Sequence, residues 1–218
     1  FPPFRGTVAV AERLGMLSRH KRCRVKLADG DTSQAWFPYL GDLLVFLEDA
    51  EGPYAVNLNI KDKEDSFRRL FPREGRAWLD EDDDGVLNRH ALEREYYADA
   101  GIPTRQVVGR NIDEELRNNL FSIFQFHSEK TSLSKVLKEG LWEFFSSHIG
   151  TTRRVCDLIQ QAAGHLALDP YEVNTVFHQG VWNRKILVDL MRPVLTDRPL
   201  RPMQVDAVDV YRDWFRRG

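Results

Sequence analysis

Two neighbouring stretches, Gly41-Asp42-Leu43-Leu44-Val45-Phe46-Leu47 and Tyr54-Ala55-Val56-Asn57-Leu58-Asn59-Ile60-Lys61, decide how this chain is read. The first is a compact apolar run. The second alternates, with Val56, Leu58 and Ile60 on one side and Asn57, Asn59 and Lys61 on the other, the period-two pattern of a strand. The acidic, turn-rich link Glu48 to Pro53 predicts that the two pair antiparallel. With Leu47 opposite Tyr54, Asp42 falls opposite Asn59 on the same face, and Lys61 lies one side-chain step further. A carboxylate, an amide and an ammonium are then expected at one end of a hairpin.

That set suits metal-dependent phosphodiester hydrolysis. Mg²⁺ takes oxygen donors and keeps several waters, so Asp42, the backbone carbonyl of Ile60 and the amide oxygen of Asn59 are candidate ligands, with Mn²⁺ able to substitute. The metal would lower the pKa of a bound water, and Lys61 would orient that water and neutralise the scissile phosphate. Hairpins ending in a solvated lysine are common, so this pattern does not decide the function by itself.

The surrounding chain is read outward from the hairpin. A short amphipathic helix is expected over residues 7–17, followed by a basic run with Arg or Lys at 19, 21, 22, 24 and 26. Residues 66–71 read as helical, and residues 72–85 as a polar insertion. A charged helix over 87–100 carries Leu92, Tyr96 and Ala100 on one face, and Gly101 stops it. A short strand at 106–108 and a helix at 113–126 complete an α/β layer arrangement. Beyond His127 the texture changes to three helical segments, 133–147, 151–163 and 169–179, and a β-compatible, proline-punctuated tail from Lys185. The boundary is placed at 127/128, dividing the chain into 1–127 and 128–218.

Several weak motifs occurring in order resemble the TnsA-type endonuclease subunits of heteromeric DNA transposases. Asn59-Ile60-Lys61 after the Asp42 strand is similar to the amide-containing form of the restriction-endonuclease-like pattern. Leu92-Glu93-Arg94-Glu95-Tyr96-Tyr97 with Gly101-Ile102-Pro103 resembles the family's charged helix and entry to its next strand, and 111–120 resembles the helix after it. The resemblance implies a restriction-endonuclease-like mixed sheet with flanking helices, followed by a mostly helical, winged-helix-like domain. It implies catalytic roles for Asp42, Asn59, Lys61 and the helix acid Glu93, with metal held by Asp42, Asn59 and Ile60. It further implies cleavage of one strand at each 5′ end of a mobile element in a bacterial cytoplasm. The partners would be DNA at transposon ends, a DDE-class transposase and an ATP-dependent regulator. The family's further catalytic glutamate sits on an upstream helix, and Phe1-Pro2 resembles the segment just beyond it, so the start of the nuclease domain is expected to lie upstream of Phe1.

Bulk properties are compatible with this reading and exclude others. The 218 residues are 42% hydrophobic and 29% charged, with a net charge of −2; nothing global marks a nucleic-acid binder, so contacts with DNA must come from local basic patches. Cys23 and Cys156 make no disulfide framework, and no apolar run approaches the roughly 18 residues of a membrane span. Two rival readings remain. Asp80, Asp82, Asp84 and Gly85 match positions 1, 3, 5 and 6 of a calcium loop, but Ala91 stands where the bidentate acid belongs. Alternatively, the chain is a decayed nuclease fold serving as a DNA-binding or scaffold protein. In the C-terminal half, helix 169–179 takes the place of a recognition helix but carries Tyr171, Asn174, His178 and Gln179 without Arg or Lys, which favours protein docking over base readout.

Overall fold

The computed structural model describes residues 6–37, 41–69 and 83–218. In chain order the elements are α1 (Thr7–Arg13), β1 (Arg22–Lys26), β2 (Thr32–Trp36), β3 (Leu43–Asp49), β4 (Gly52–Lys61), α2 (Asp84–Ala98), β5 (Thr104–Val108), α3 (Glu114–Phe124), α4 (Lys135–Ser147), α5 (Val155–Leu166), α6 (Pro170–Trp182), α7 (Ala207–Val210) and α8 (Arg212–Phe215). The class is mixed α/β, as expected. No helix among the described residues is long and apolar enough to cross a membrane.

The chain divides into two compact units, Phe1–Asn111 with Arg212–Gly218, and Ile112–Tyr211. The division therefore falls earlier than the expected 127/128 boundary, and the last residues return to the first unit. Asn119 explains the earlier division. This buried side chain of α3 donates to the carbonyls of Leu190 and Arg192 at 2.8 Å each and accepts from the Val194 amide at 2.9 Å, tying α3 to the second unit's tail.

In the first unit a three-stranded sheet runs in the order β3-β4-β5, with β3 antiparallel and β5 parallel to β4. The register pairs Leu47 with Tyr54 and Leu43 with Leu58, as the sequence predicts. The parallel step from β4 to β5 needs a crossover, and α2 lies within it. Asp83 caps α2 by accepting from the Val86 amide, and Gly101, at φ +69°, lies just beyond its end. Val56, Leu58 and Val107 form the apolar face, closed by Trp214 and Phe215 of α8. The Tyr54 hydroxyl donates to the Phe215 carbonyl at 2.8 Å, and Arg217 binds Asp49 at 2.7 Å. A second cluster packs Val10 and Ala11 of α1 on Leu92, with Tyr96 alongside. The expected 7–17 helix is thus α1 followed by a 3₁₀ turn at Leu17–Arg19, and the expected helix at 66–71 is a 3₁₀ turn at Glu64–Phe67, residues 70 and 71 lying outside the described residues. The basic run holds a strand, β1, paired with β2 in a separate ribbon that alternation did not reveal.

The second unit is a helical bundle around Phe145, Leu158, Val173, Val176 and Phe177. The three expected helices are present as α4, α5 and α6. Gly180 is required by a close approach: a Cβ there would lie 2.5 Å from Trp142 Cδ1. Two expectations fail. α6 is the central helix, with Val173 and the run Thr175–Val181 buried, and Gln179 donates to the carbonyls of Phe126 and Glu129. It presents neither a base-reading nor a docking face at His178 and Gln179. The wing is also not a strand hairpin, since among the described residues the tail forms only isolated bridges, Arg154 with Pro199 and Val188 with Pro202. Pro193, Pro199 and Pro202 lack the amide hydrogens that a ladder requires.

Candidate active site

Asp42 stands one residue before β3, and continuing the register from the Leu43–Leu58 pair places it beside Asn59. Its Oδ2 accepts from the Ile60 amide at 2.8 Å and from Lys61 Nζ at 2.7 Å. Lys61 Nζ also donates to the Ile60 carbonyl at 3.0 Å. The ammonium therefore bridges the two oxygens that the sequence assigns to a metal. Partial burial pushes the Asp42 carboxyl upward, but the hydrogen bonds from Lys61 and Ile60 together outweigh it and hold the group below its ordinary value. Asp42 is therefore an anion at neutral pH.

Next to this pair, α2 lays one face on the polar face of β4. His90, Glu93 and Tyr97 recur at three and four residues, so they share that face. Glu93 accepts from Asn57 Nδ2 through Oε1 and from Asn59 Nδ2 through Oε2, both at 2.9 Å. The second amide hydrogen of Asn59 goes to His90 Nδ1 at 2.7 Å, and that of Asn57 goes to Thr104 Oγ1 at 3.2 Å. All four amide hydrogens are used, and this fixes which way each amide faces. Asn57 Oδ1 and Asn59 Oδ1 are buried without a protein partner. Nδ1 of His90 accepts, so the ring proton belongs on Nε2, another buried atom without a protein partner. Burial, helped by Arg89 and Lys61, lowers His90 to about 4, so the ring is neutral at physiological pH. Burial raises Glu93 against the opposing Asn57 hydrogen bond.

Gly41 admits this packing. A Cβ at that position would lie 2.6 Å from Asn57 Oδ1 and 2.7 Å from the Tyr97 hydroxyl. Any side chain there would displace the entry to β3 that aims Asp42.

Of the residues expected at the site, Asp42, Ile60 and Lys61 meet directly, while Asn59 and Glu93 meet each other. Glu93 touches neither Asp42 nor Lys61 through a hydrogen bond; it holds the two asparagines. His90, Asn57, Tyr97 and Gly41 were missed. Their signals were in the sequence: Asn57 shares the polar face of β4, and His90 precedes Glu93 by one helical turn. The residues present offer oxygen donors suited to Mg²⁺, namely the Asp42 carboxylate, the Ile60 carbonyl and the unpartnered Asn59 amide oxygen. Among the described residues, no three His, Cys, Asp or Glu side chains converge as a metal-holding group.

Asp80 and Asp82 lie outside the described residues, but Asp83 caps α2 and the helix already includes Asp84 and Gly85. Residues at loop positions 5 onward are helical and cannot wrap an ion as a calcium loop does. Compared with known proteins, the chain matches no family model and no curated relative.

Proposed function

We propose that this chain is the endonuclease subunit of a heteromeric DNA transposase, a Mg²⁺-dependent phosphodiester hydrolase of restriction-endonuclease-like type. It cuts one strand at each 5′ end of the element, alongside a DDE-class transposase and an ATP-dependent regulator. One observation carries the reading: Lys61 Nζ spans Asp42 Oδ2 and the Ile60 carbonyl, a built cation position at the end of a two-stranded hairpin. Asp42, Ile60 and Asn59 would hold Mg²⁺ or Mn²⁺, which when bound supplies Lewis acidity and an acidified water. The chain's own residues do the rest. Lys61 places positive charge where negative charge grows on the scissile phosphate. Glu93 and His90 hold the Asn59 amide in one orientation, and the neutral His90 ring adds no competing cation.

A second reading, a nuclease fold retained for binding or scaffolding, is favoured by the amide at position 59 and by the lack of three converging ligand side chains among the described residues. Calorimetric titration with Mn²⁺ separates the two. The nuclease reading expects binding by the parent chain and none by Asp42→Ala, with cleavage of end-bearing duplex by the assembled subunits lost in the same variant. No binding by the parent, or cleavage indifferent to Asp42, leaves the scaffold reading standing.

A further inference from the structure

We propose that the β1–β2 ribbon grips the phosphate backbone of duplex DNA. The choice of DNA as ligand rests on the nuclease reading, but the surface is argued from its own residues. The register pairs Arg22 with Trp36, Arg24 with Gln34 and Lys26 with Thr32. Strand alternation puts these six side chains on one face and Cys23, Val25, Ser33 and Ala35 on the other. Arg22, Arg24 and Lys26 are exposed, while Cys23, Val25 and Ala35 are half-buried, so the cationic face is the outward one.

These cations are not consumed internally. Among the described residues, no carboxylate lies within ion-pair distance of Arg22, Arg24 or Lys26, whereas Arg19 in the same run is bound to Asp84 at 3.3 Å. In the turn, the Asp29 carboxylate accepts from the Asp31 amide of its own loop at 3.0 Å. The Arg22 guanidinium lies 4.2 Å over the Trp36 ring, which holds it in place while leaving its edge donors available.

The ribbon is also tied to the helix before it. His20 is buried; it meets Thr7 Oγ1 at 3.2 Å and the edge of Trp36 at 5.4 Å between ring centres. It anchors the ribbon to α1.

Three cations repeat every second residue, about 6.8 Å apart, and duplex DNA presents one negative charge per about 1.7 Å of axis. A two-stranded ribbon is of a width the major groove admits, and arginine forks match phosphate oxygens. Thr32 and Gln34 on the same face offer hydrogen bonds to backbone or base.

The test is fluorescence anisotropy of the whole chain with a labelled duplex, in EDTA, across a salt series. The variant Arg22→Gln/Arg24→Gln/Lys26→Gln removes three phosphate contacts. Its log–log salt slope should be shallower by about 2.7, so that raising salt from about 50 to about 200 mM weakens the parent about 40-fold more than the variant. The assay holds EDTA and reads neither metal nor cleavage, so failure of the nuclease site would leave this result intact. An unchanged slope in the triple variant overturns the proposal. So does loss, in that variant, of binding to phosphatidylserine vesicles or polyglutamate with duplex binding retained. If circular dichroism shows the triple variant unfolded, Arg24→Gln alone should lower the slope by about 0.9, and no change again overturns it.

Discussion

The two units of this protein bury different things. The second buries carbon around Phe145, Phe177 and Leu158, and its buried amide side chains are hydrogen-bonded: Asn119 makes three hydrogen bonds and Gln179 donates two. The first buries Asn57, Asn59 and His90 with Asn57 Oδ1, Asn59 Oδ1 and His90 Nε2 lacking protein partners. An unpartnered buried polar atom costs about 1–3 kcal/mol, so a fold built for stability alone would not gather three beside one carboxylate. One unit is organised for cohesion. The other gives up cohesion where Asn57, Asn59 and His90 gather around Glu93.

The largest effect should come from the cohesive unit. Phe145→Ala removes a side chain with no solvent exposure and should cost about 3–5 kcal/mol in urea unfolding of the second unit. Mn²⁺ titration of the same variant, done below its unfolding midpoint, should match the parent. Loss of Mn²⁺ binding in the folded variant would show that the two units are not separable in this way.

Lys61→Met should produce the opposite pattern. Cleavage by the assembled subunits should fall about 10²- to 10³-fold, the scale for losing one positioned charge, with little change in thermal midpoint. Mn²⁺ should bind at least as tightly, because the ammonium that bridges Asp42 Oδ2 and the Ile60 carbonyl is gone. Weaker Mn²⁺ binding would mean that the lysine does not occupy the cation position.

The smallest effect is acid sensitivity. Burial lowers His90 to about 4, below its ordinary 6.5, so its contribution to stability is present above pH 6.5 and is lost as pH falls toward 4. Glu93, raised by burial above its ordinary 4.5, acts in reverse: its contribution is present below 4.5 and lost as pH rises through the raised value. Replacing His90 by Gln keeps an acceptor for Asn59 and removes the titration. Hydrogen exchange of the α2 amides between pH 6.5 and 4.5 should then show a smaller acid loss, by on the order of 1 kcal/mol after allowing for solvent screening. Equal losses in parent and variant would place the acid response elsewhere.

The hairpin was legible in the sequence because strand alternation and the short Glu48 to Pro53 link are local signals. They fixed the pairing of Leu47 with Tyr54, and that register carries Asp42 to Asn59. The helices α3 to α6 of the second unit were legible for the same reason: each has its own apolar period, and α3, α4 and α6 add a cap, with Asp113, Ser134 and Asp169 each accepting from an amide in the first turn. The β1–β2 ribbon was not, because a run of five cations hides an alternation whose inward side is only Cys23 and Val25.

What the tertiary structure alone decided are the pairings that periodicity cannot express. An apolar stripe states that a helix is buried, not what buries it, so the sequence suits α6 to a recognition position, whereas its buried side chains place it at the centre of its bundle. The return of Phe215 and Arg217 to Tyr54 and Gly52 of β4 links positions more than 160 residues apart. Glu93 reaches the asparagines only because the crossover folds α2 onto β4. The sequence determined that Asp42, Asn59, Ile60 and Lys61 share one end of a hairpin, through types and spacings set by local backbone geometry. The structure decided their roles, because each depends on which long-range partner takes up its hydrogen bonds.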